Sequence, residues 1–305
     1  MQVQPSDLGV THQKSGFRRW FRNGVRTDLI PYFLVAPNLV WMFVFLVGAL
    51  CLLAVMSLRG YEAGGRGILD TWELTHYIAF LSDPYYREIV GRSVWLALVT
   101  TVCRIILGFP LAYLLSRARG TFRALLYMCI LLPLLTSTVV RTFGWMVLLS
   151  NNGMLNRTLI SMGIIDEPIH FMYSNLGIII ALTEVFLPFM VLALDAALLN
   201  IDRNLYDAAR NLGAGTVRIF FRITLPLTYP GIISGSILVF SLSISAYVTP
   251  SLIGGARNPV MATLIYQQGV SLLNWPFGAA IAFILLATVL VLVGGILQLG
   301  LRGRG

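Results

Sequence analysis

Charge is what this chain has least of. Charged residues make up 11% of its 305 residues, against about 25% in an ordinary soluble domain. Hydrophobic residues make up 57%, and the mean hydropathy is +0.80. That excludes a soluble globular domain and leaves an integral membrane protein. Lysine is nearly absent: Lys14 is the only one. A phosphate-cradling loop needs Gly-x-x-x-x-Gly-Lys-Ser/Thr, and around Lys14-Ser15 the two glycine positions hold Leu8 and Gln13. The chain therefore does not bind ATP by that device. The three histidines, His12, His76 and His170, are scattered. Cys51, Cys103 and Cys129 lie in apolar segments without metal-ligand spacing, which predicts small buried hydrophobes and no disulfide framework. With no metal cluster, catalytic triad or cofactor motif, neither an enzyme nor a cofactor is expected. Any energy-requiring function must draw on a partner or an ion gradient.

What is present is a series of long apolar runs. A bilayer span takes about 20 helical residues, and six segments qualify: 32–58, 92–116, 124–149, 175–199, 226–249 and 277–301. The fold class expected is an all-α integral membrane protein of six transmembrane helices, preceded by a basic tail over 1–31. Basic residues favour the cytoplasmic side. Both tails and the loops after the second and fourth runs together hold fourteen, and the opposite side holds six. This predicts a multi-pass protein of the bacterial inner membrane with both termini in the cytoplasm. In the tail, Arg18, Arg22 and Arg26 recur at helical spacing among Phe17, Trp20 and Phe21. That suits either an interfacial helix on anionic membrane lipid or a solvated flank that only fixes topology; nucleic acid is not an expected partner. The loop 59–91 carries Trp72, Tyr77, Phe80, Tyr85 and Tyr86, which predicts a short helix lying on the outer surface. Pro37, Pro110, Pro133 and Pro188 interrupt spans and favour kinks. Gly231 and Gly235 form a small-xxx-small pair for close helix contact.

Four ionisable residues fall inside spans: Arg104, Arg141, Glu184 and Asp195. A lone charge at mid-bilayer costs about 2.5–3.5 kcal/mol on insertion scales, so each is expected to pair or to line an aqueous path. Arg141 lies nine residues before Ser150, and Glu184 nine after Asn175. At about 1.5 Å per residue both sit roughly 14 Å from the outer surface, level enough to pair. Arg104 is the alternative partner of Glu184. Asp195, near the inner end of its span, is expected to be solvated.

The polar stretch 200–226 has a helical pattern of its own. Leu205, Ala208, Ala209 and Leu212 fall at i, i+3, i+4 and i+7; Asp202 suits an N-cap and Gly213 a left-handed end. A second short helix is expected over 216–223, with Val217, Phe220 and Phe221 on one face. An apolar-faced helix pair outside the membrane needs a partner to cover it. Asp207-Ala208-Ala209, three residues, Gly213, nine residues, then Ile223-Thr224-Leu225-Pro226 resembles the coupling-loop signature of permease subunits in bacterial ABC importers, with Asp207 where Glu is usual. Arg141-Thr142-Phe143-Gly144-Trp145, Asn152-Gly153-Met154-Leu155-Asn156, Tyr247-Val248-Thr249-Pro250 with Gly254-Gly255, Leu264-Ile265-Tyr266-Gln267-Gln268 and Trp275-Pro276-Phe277-Gly278-Ala279-Ala280 are similar to the spermidine/putrescine-type permeases.

The resemblance implies that 32–305 is a six-helix transmembrane domain with a cytoplasmic two-helix coupling loop at 200–226. It implies partners as well: two copies of an ATP-binding subunit, a second and non-identical permease, and a periplasmic solute-binding protein. Asp207, Ala208, Ala209, Gly213, Ile223, Leu225 and Pro226 would couple to the ATPase. Arg104, Arg141, Glu184 and Asp195 would line the pore or pair within the membrane. The cargo implied is a small polar organic solute, polyamine-like first, with opines, amino-acid derivatives and phosphonates behind. The competing reading is a self-sufficient carrier driven by an ion gradient through Glu184 and Asp195. Such carriers often show internal repeats, and none is evident here.

Overall fold

A computed structural model describes residues 30–62 and 67–302; the basic tail, with its arginine spacing, lies outside them. The first helix, α1 (Ile30–Ser57), is apolar throughout and takes Pro37 without interruption. Trp41, Phe43 and Phe45 are all exposed, as suits a helix bathed in lipid rather than in water.

The rest of the chain begins with a β-hairpin, β1 (Arg59–Glu62) and β2 (Gly67–Trp72), antiparallel with Tyr61 opposite Ile68. A short helix falls in this loop as expected, α2 (Thr75–Ser82). The hairpin was not expected, and the aromatics divide differently from the interfacial belt foreseen. Trp72 is exposed beneath the Arg59 guanidinium, but Phe80 is fully buried, stacked on Tyr86 at 5.0 Å in a core that includes Phe277.

The second span, α3 (Pro84–Arg117), starts eight residues before the expected 92. Asp83 caps it by accepting from the Tyr85 N–H at 2.9 Å, and Pro84 fills the first turn, where its missing N–H costs nothing. The third span differs more. Instead of one helix over 124–149 there are two pieces, α4 (Gly120–Leu131), continued by a 3-10 turn over Leu132–Leu135, and α5 (Thr138–Leu149). With its short sequel α6 (Met154–Ser161), the second piece turns 97° from the first. Pro133 sits in the tightened turn, and Thr136 and Ser137 are extended, so the hydrogen-bond ladder stops there.

The fourth span is α7 (Asn175–Leu199), capped by Ser174 Oγ, with Pro188 inside it. Then come a short helix, α8 (Arg203–Asn211), and the long α9 (Thr216–Ile244). The separate helix expected over 216–223 does not form. Those residues enter the fifth span through a wider π turn at Phe220–Thr224. Pro226 follows and has no N–H for an i→i−4 bond; the wider turn accommodates it.

The fifth span ends at Ile244, short of 249. Ser241, Ser243 and Ser245 bond back to carbonyls four residues earlier, and Pro250 has no N–H to offer the Ala246 carbonyl. Irregular π and 3-10 turns lead to α10 (Met261–Tyr266) and the last span, α11 (Trp275–Arg302). Among the described residues, five helices are long and apolar enough to cross a membrane, and the bent pair makes a sixth candidate.

The centre is the contact of α3, α7 and α9. A Cβ added at Gly231 would lie 2.3 Å from that of Ala197, and one at Gly235 would lie 2.9 Å from the Met190 sulfur. The small-xxx-small pair is thus the surface on which α9 crosses α7. The cysteines are not core residues: Cys51 and Cys129 are exposed and Cys103 is half-buried.

Candidate functional site

On α7, Glu184 and Asp195 are eleven residues apart. Eleven residues make about three helical turns, which returns both carboxylates to one face, roughly 16 Å apart. Each is met by a different half of the broken span. Arg141 and Trp145, at i and i+4 on α5, both reach Glu184: Arg141 Nη1 stands 3.7 Å from Oε1, and Trp145 Nε1 donates to Oε2 at 3.1 Å. Arg141 also donates to the Val185 carbonyl at 3.4 Å. Arg123 and Tyr127, at i and i+4 on α4, both reach Asp195: the Tyr127 hydroxyl donates to Oδ2, and Arg123 Nη2 stands 3.5 Å from it.

The two clusters differ in their access to solvent. Glu184 keeps 32% of its side chain exposed, so a solute in a path could reach it. Asp195 is 2% exposed and is not the solvated end-of-span residue that its position suggested. Its Oδ1 has no partner among protein atoms. Trp145 and Tyr127 lie one turn along the same face from their arginines; that i, i+4 spacing was the only signal the sequence held for them.

Arg104 is fully buried, and among the described residues it pairs with no carboxylate. It lies thirteen residues from the end of α3, about 20 Å into the span, too deep for its head group to reach water. Its guanidinium donates to the carbonyls of Leu182 and Thr183 on α7, and to Val239 O and Ser243 Oγ on α9, the last at 2.5 Å. The Phe186 ring lies 5.3 Å from it. It is a fork joining three helices, and Glu184 is not among its partners.

Thr142 Oγ1 and Thr249 Oγ1 are 3.1 Å apart, so α5 is tied to the segment after α9. Asn156 is fully buried and holds Ser150 and Ile169 through their backbones.

At the other end stands α8. Asp202 Oδ1 accepts from the Asn204 N–H at 2.9 Å, and Gly213 leaves the helix at φ +78°. Leu205, Ala208 and Leu212 are exposed along one face, Leu212 at 88%. Ala209 is half-buried beside them. Asp207 turns away from that face and pairs with Arg210 at 3.6 Å. Beyond Gly213, Val217 and Phe221 are exposed, whereas Phe220 faces inward against Phe109. Ile223 and Leu225 are half-buried, and Pro226 is exposed at the start of the membrane-crossing part of α9.

Known proteins are similar to this chain in sequence and in fold. The family pattern described as "Binding-protein-dependent transport system inner membrane component" matches residues 104–304. The chain is 38% identical over 200 residues to the spermidine/putrescine transport system permease protein PotB of Escherichia coli, covering 66% of this chain and 73% of that one. It is 27% identical over 300 residues to the inner membrane ABC transporter permease protein YdcU of the same organism, covering 94% and 93%. With the molybdenum transport system permease protein ModB of Mycobacterium bovis the identity is 32% over 229 residues, covering 74% and 82%. Among solved structures, a bacterial ABC transporter involved in the import of the acidic polysaccharide alginate shares the fold, with a TM-score of 0.67 at 19% identity over 93% of this chain and 99% of that one. The chain therefore belongs to the inner membrane components of binding-protein-dependent transport systems, the permeases of ABC importers.

Proposed function

We propose that this chain forms half of the translocation pathway of an ATP-driven importer for a small polar organic solute. Its partners would be a second, non-identical permease, two copies of an ATP-binding subunit and a periplasmic solute-binding protein. Both termini and α8 lie in the cytoplasm. The observation that carries this reading is the uncovered apolar face of Leu205, Ala208 and Leu212 on a short helix ended by a left-handed glycine. Small side chains at its centre let the ATPase approach closely, and motion of the ATPase then passes through α8 into α9. Co-purification tests it: the chain expressed with its ATPase partner is retained on a tag carried by the ATPase, and Ala208→Trp abolishes retention. A chain that drives uptake alone under a proton or sodium gradient would replace this reading with the carrier.

The two carboxylates argue against that carrier. Glu184 is already met by Arg141 and Trp145, and Asp195 by Tyr127 and Arg123, so neither stands as an open cation site. In the importer these clusters hold the broken span to α7, and Glu184 with Trp145 faces the path. Polyamine-like cargo is favoured because relatives 38% identical are named for spermidine and putrescine. A relative named for molybdenum transport is 32% identical, which supports leaving the choice of cargo partly to another subunit. Ligand binding by the partner solute-binding protein decides which solute is carried.

A further inference from the structure

A cavity of about 430 Å³ lies where the C-terminal ends of α3 and α7 meet α8. Arg117 and Arg119, at the end of α3 and just beyond it, line one wall. Arg203, Tyr206, Asp207 and Arg210 line another; they fall at i, i+3, i+4 and i+7 and so share one face of α8. The apolar face proposed to meet the ATPase, Leu205, Ala208 and Leu212, is a different one.

The cavity is built and carries an excess of positive charge. Arg117 is held in place, its guanidinium carbon 4.4 Å from the centre of the Tyr113 ring and 5.6 Å from that of Tyr206. Among the described residues, Arg117, Arg119 and Arg203 make no ion pair, and Arg210 reaches Asp207 at 3.6 Å. The ends of α3 and α7 together offer about one negative charge, and Asp207 offers one more. Four guanidinium groups exceed these by about two. A phosphate monoester carries about −1.5 to −2 at pH 7, and planar guanidinium forks match its oxygens in pairs.

We propose that this cavity binds a phosphate group, carried either by an anionic lipid or by a soluble phosphate. An occupant would tie α8 to the end of α3 through one anion. The proposal rests on the cytoplasmic placement of α8 only for the source, since there the anionic inner leaflet and the phosphate compounds of the cytosol meet.

The test uses the full chain in detergent, titrated with dihexanoyl phosphatidic acid, dihexanoyl phosphatidylcholine and inorganic phosphate, with thermal unfolding as readout. Phosphatidic acid is expected to raise the unfolding temperature saturably, and phosphatidylcholine is not. Arg117→Gln with Arg203→Gln should weaken that binding about tenfold or more, as expected when charged hydrogen bonds are lost. Arg119→Gln alone, at an exposed position, serves the same titration should the double variant not fold, and Arg157→Gln is the control. A shift with inorganic phosphate as well assigns the site to soluble phosphates, and a shift with the lipid alone assigns it to the headgroup. No saturable shift, an equal shift with phosphatidylcholine, or unchanged binding in the variants overturns the site. In detergent both ends of the chain are accessible, so that failure is independent of orientation, which a reporter fused at Gly215 tests separately.

Discussion

Glu184 and Asp195 share one face of α7, and the two halves of the broken third span each hold one of them through an arginine and an aromatic donor four residues apart. The break at Pro133 falls between the two clusters. A straight helix would have carried both donor pairs on a single axis; here each half is anchored separately, so one can shift while the other stays.

The inner anchor is the more deeply buried, and its loss should cost more. Tyr127→Phe removes a hydrogen bond to a carboxylate that is 2% exposed and should destabilise the chain by about 1.5–3 kcal/mol. Asp195→Asn, which removes the buried charge itself, should cost less than Tyr127→Phe. Thermal unfolding of the purified variants checks the order, and the reverse order would mean that Asp195 is not held as described.

The outer anchor is partly open, so water screens it. Removing one partner of a fully buried pair costs about 3–5 kcal/mol; with Glu184 a third exposed, Arg141→Met should cost about 1 kcal/mol. Glu184→Gln should lower uptake more than stability if the carboxylate faces the path. A double-mutant cycle of Arg141→Met and Glu184→Gln should show coupling; strictly additive effects would show that the 3.7 Å approach contributes nothing.

How much of this the sequence held depends on what ends a helix. The fourth span was legible to the residue, 175–199, because a long and mainly apolar run follows directly on Ser174, which caps it. The second was read too short, since Tyr85 to Arg92 are polar enough to resemble a loop yet continue the helix from a capped proline. The third was read as one piece because apolarity runs straight through Leu131–Leu135, and hydropathy does not register that Thr136 and Ser137 turn the chain. In the site, depth counting put Arg141 and Glu184 level, but nothing in the spacing of Arg104 showed that backbone carbonyls rather than a carboxylate would surround it. Tyr127 and Asp195 meet only because α4 is a separate piece.

The crossing of α7 and α9 depends on the absence of side chains. Gly231→Ala would bring a Cβ within 2.3 Å of that of Ala197, and should destabilise by about 1–3 kcal/mol through overpacking. Gly91→Ala on α3, where nothing lies within 4 Å, should be neutral or stabilise by up to about 1 kcal/mol. Equal effects in thermal unfolding would dissociate the helix crossing from this pair.

The orientation expected from the charge distribution can be read directly. Reporter fusions at Asn258 should lie outside the cytoplasm and those at Gly215 inside it. A cytoplasmic signal at Asn258 would overturn the assignment of the last two spans.

The coupling role proposed for α8 makes the most demanding prediction, because it separates binding from folding. Ala208 is exposed between Leu205 and Leu212, so Ala208→Trp meets nothing within the chain and should leave its unfolding temperature unchanged. On a docked ATPase the same indole occupies space that only a methyl group would fill. Gly213 stands at φ +78° with nothing within 4 Å of an added Cβ; Gly213→Val is not crowded but is strained, by about 1–3 kcal/mol, and shifts the exit of α8 towards α9. Both variants should insert normally and lose ATPase retention or coupled uptake, whereas Ala214→Ser, one residue on, should lose neither. Normal uptake from Ala208→Trp and Gly213→Val would show that the exposed apolar face is not where the ATPase docks.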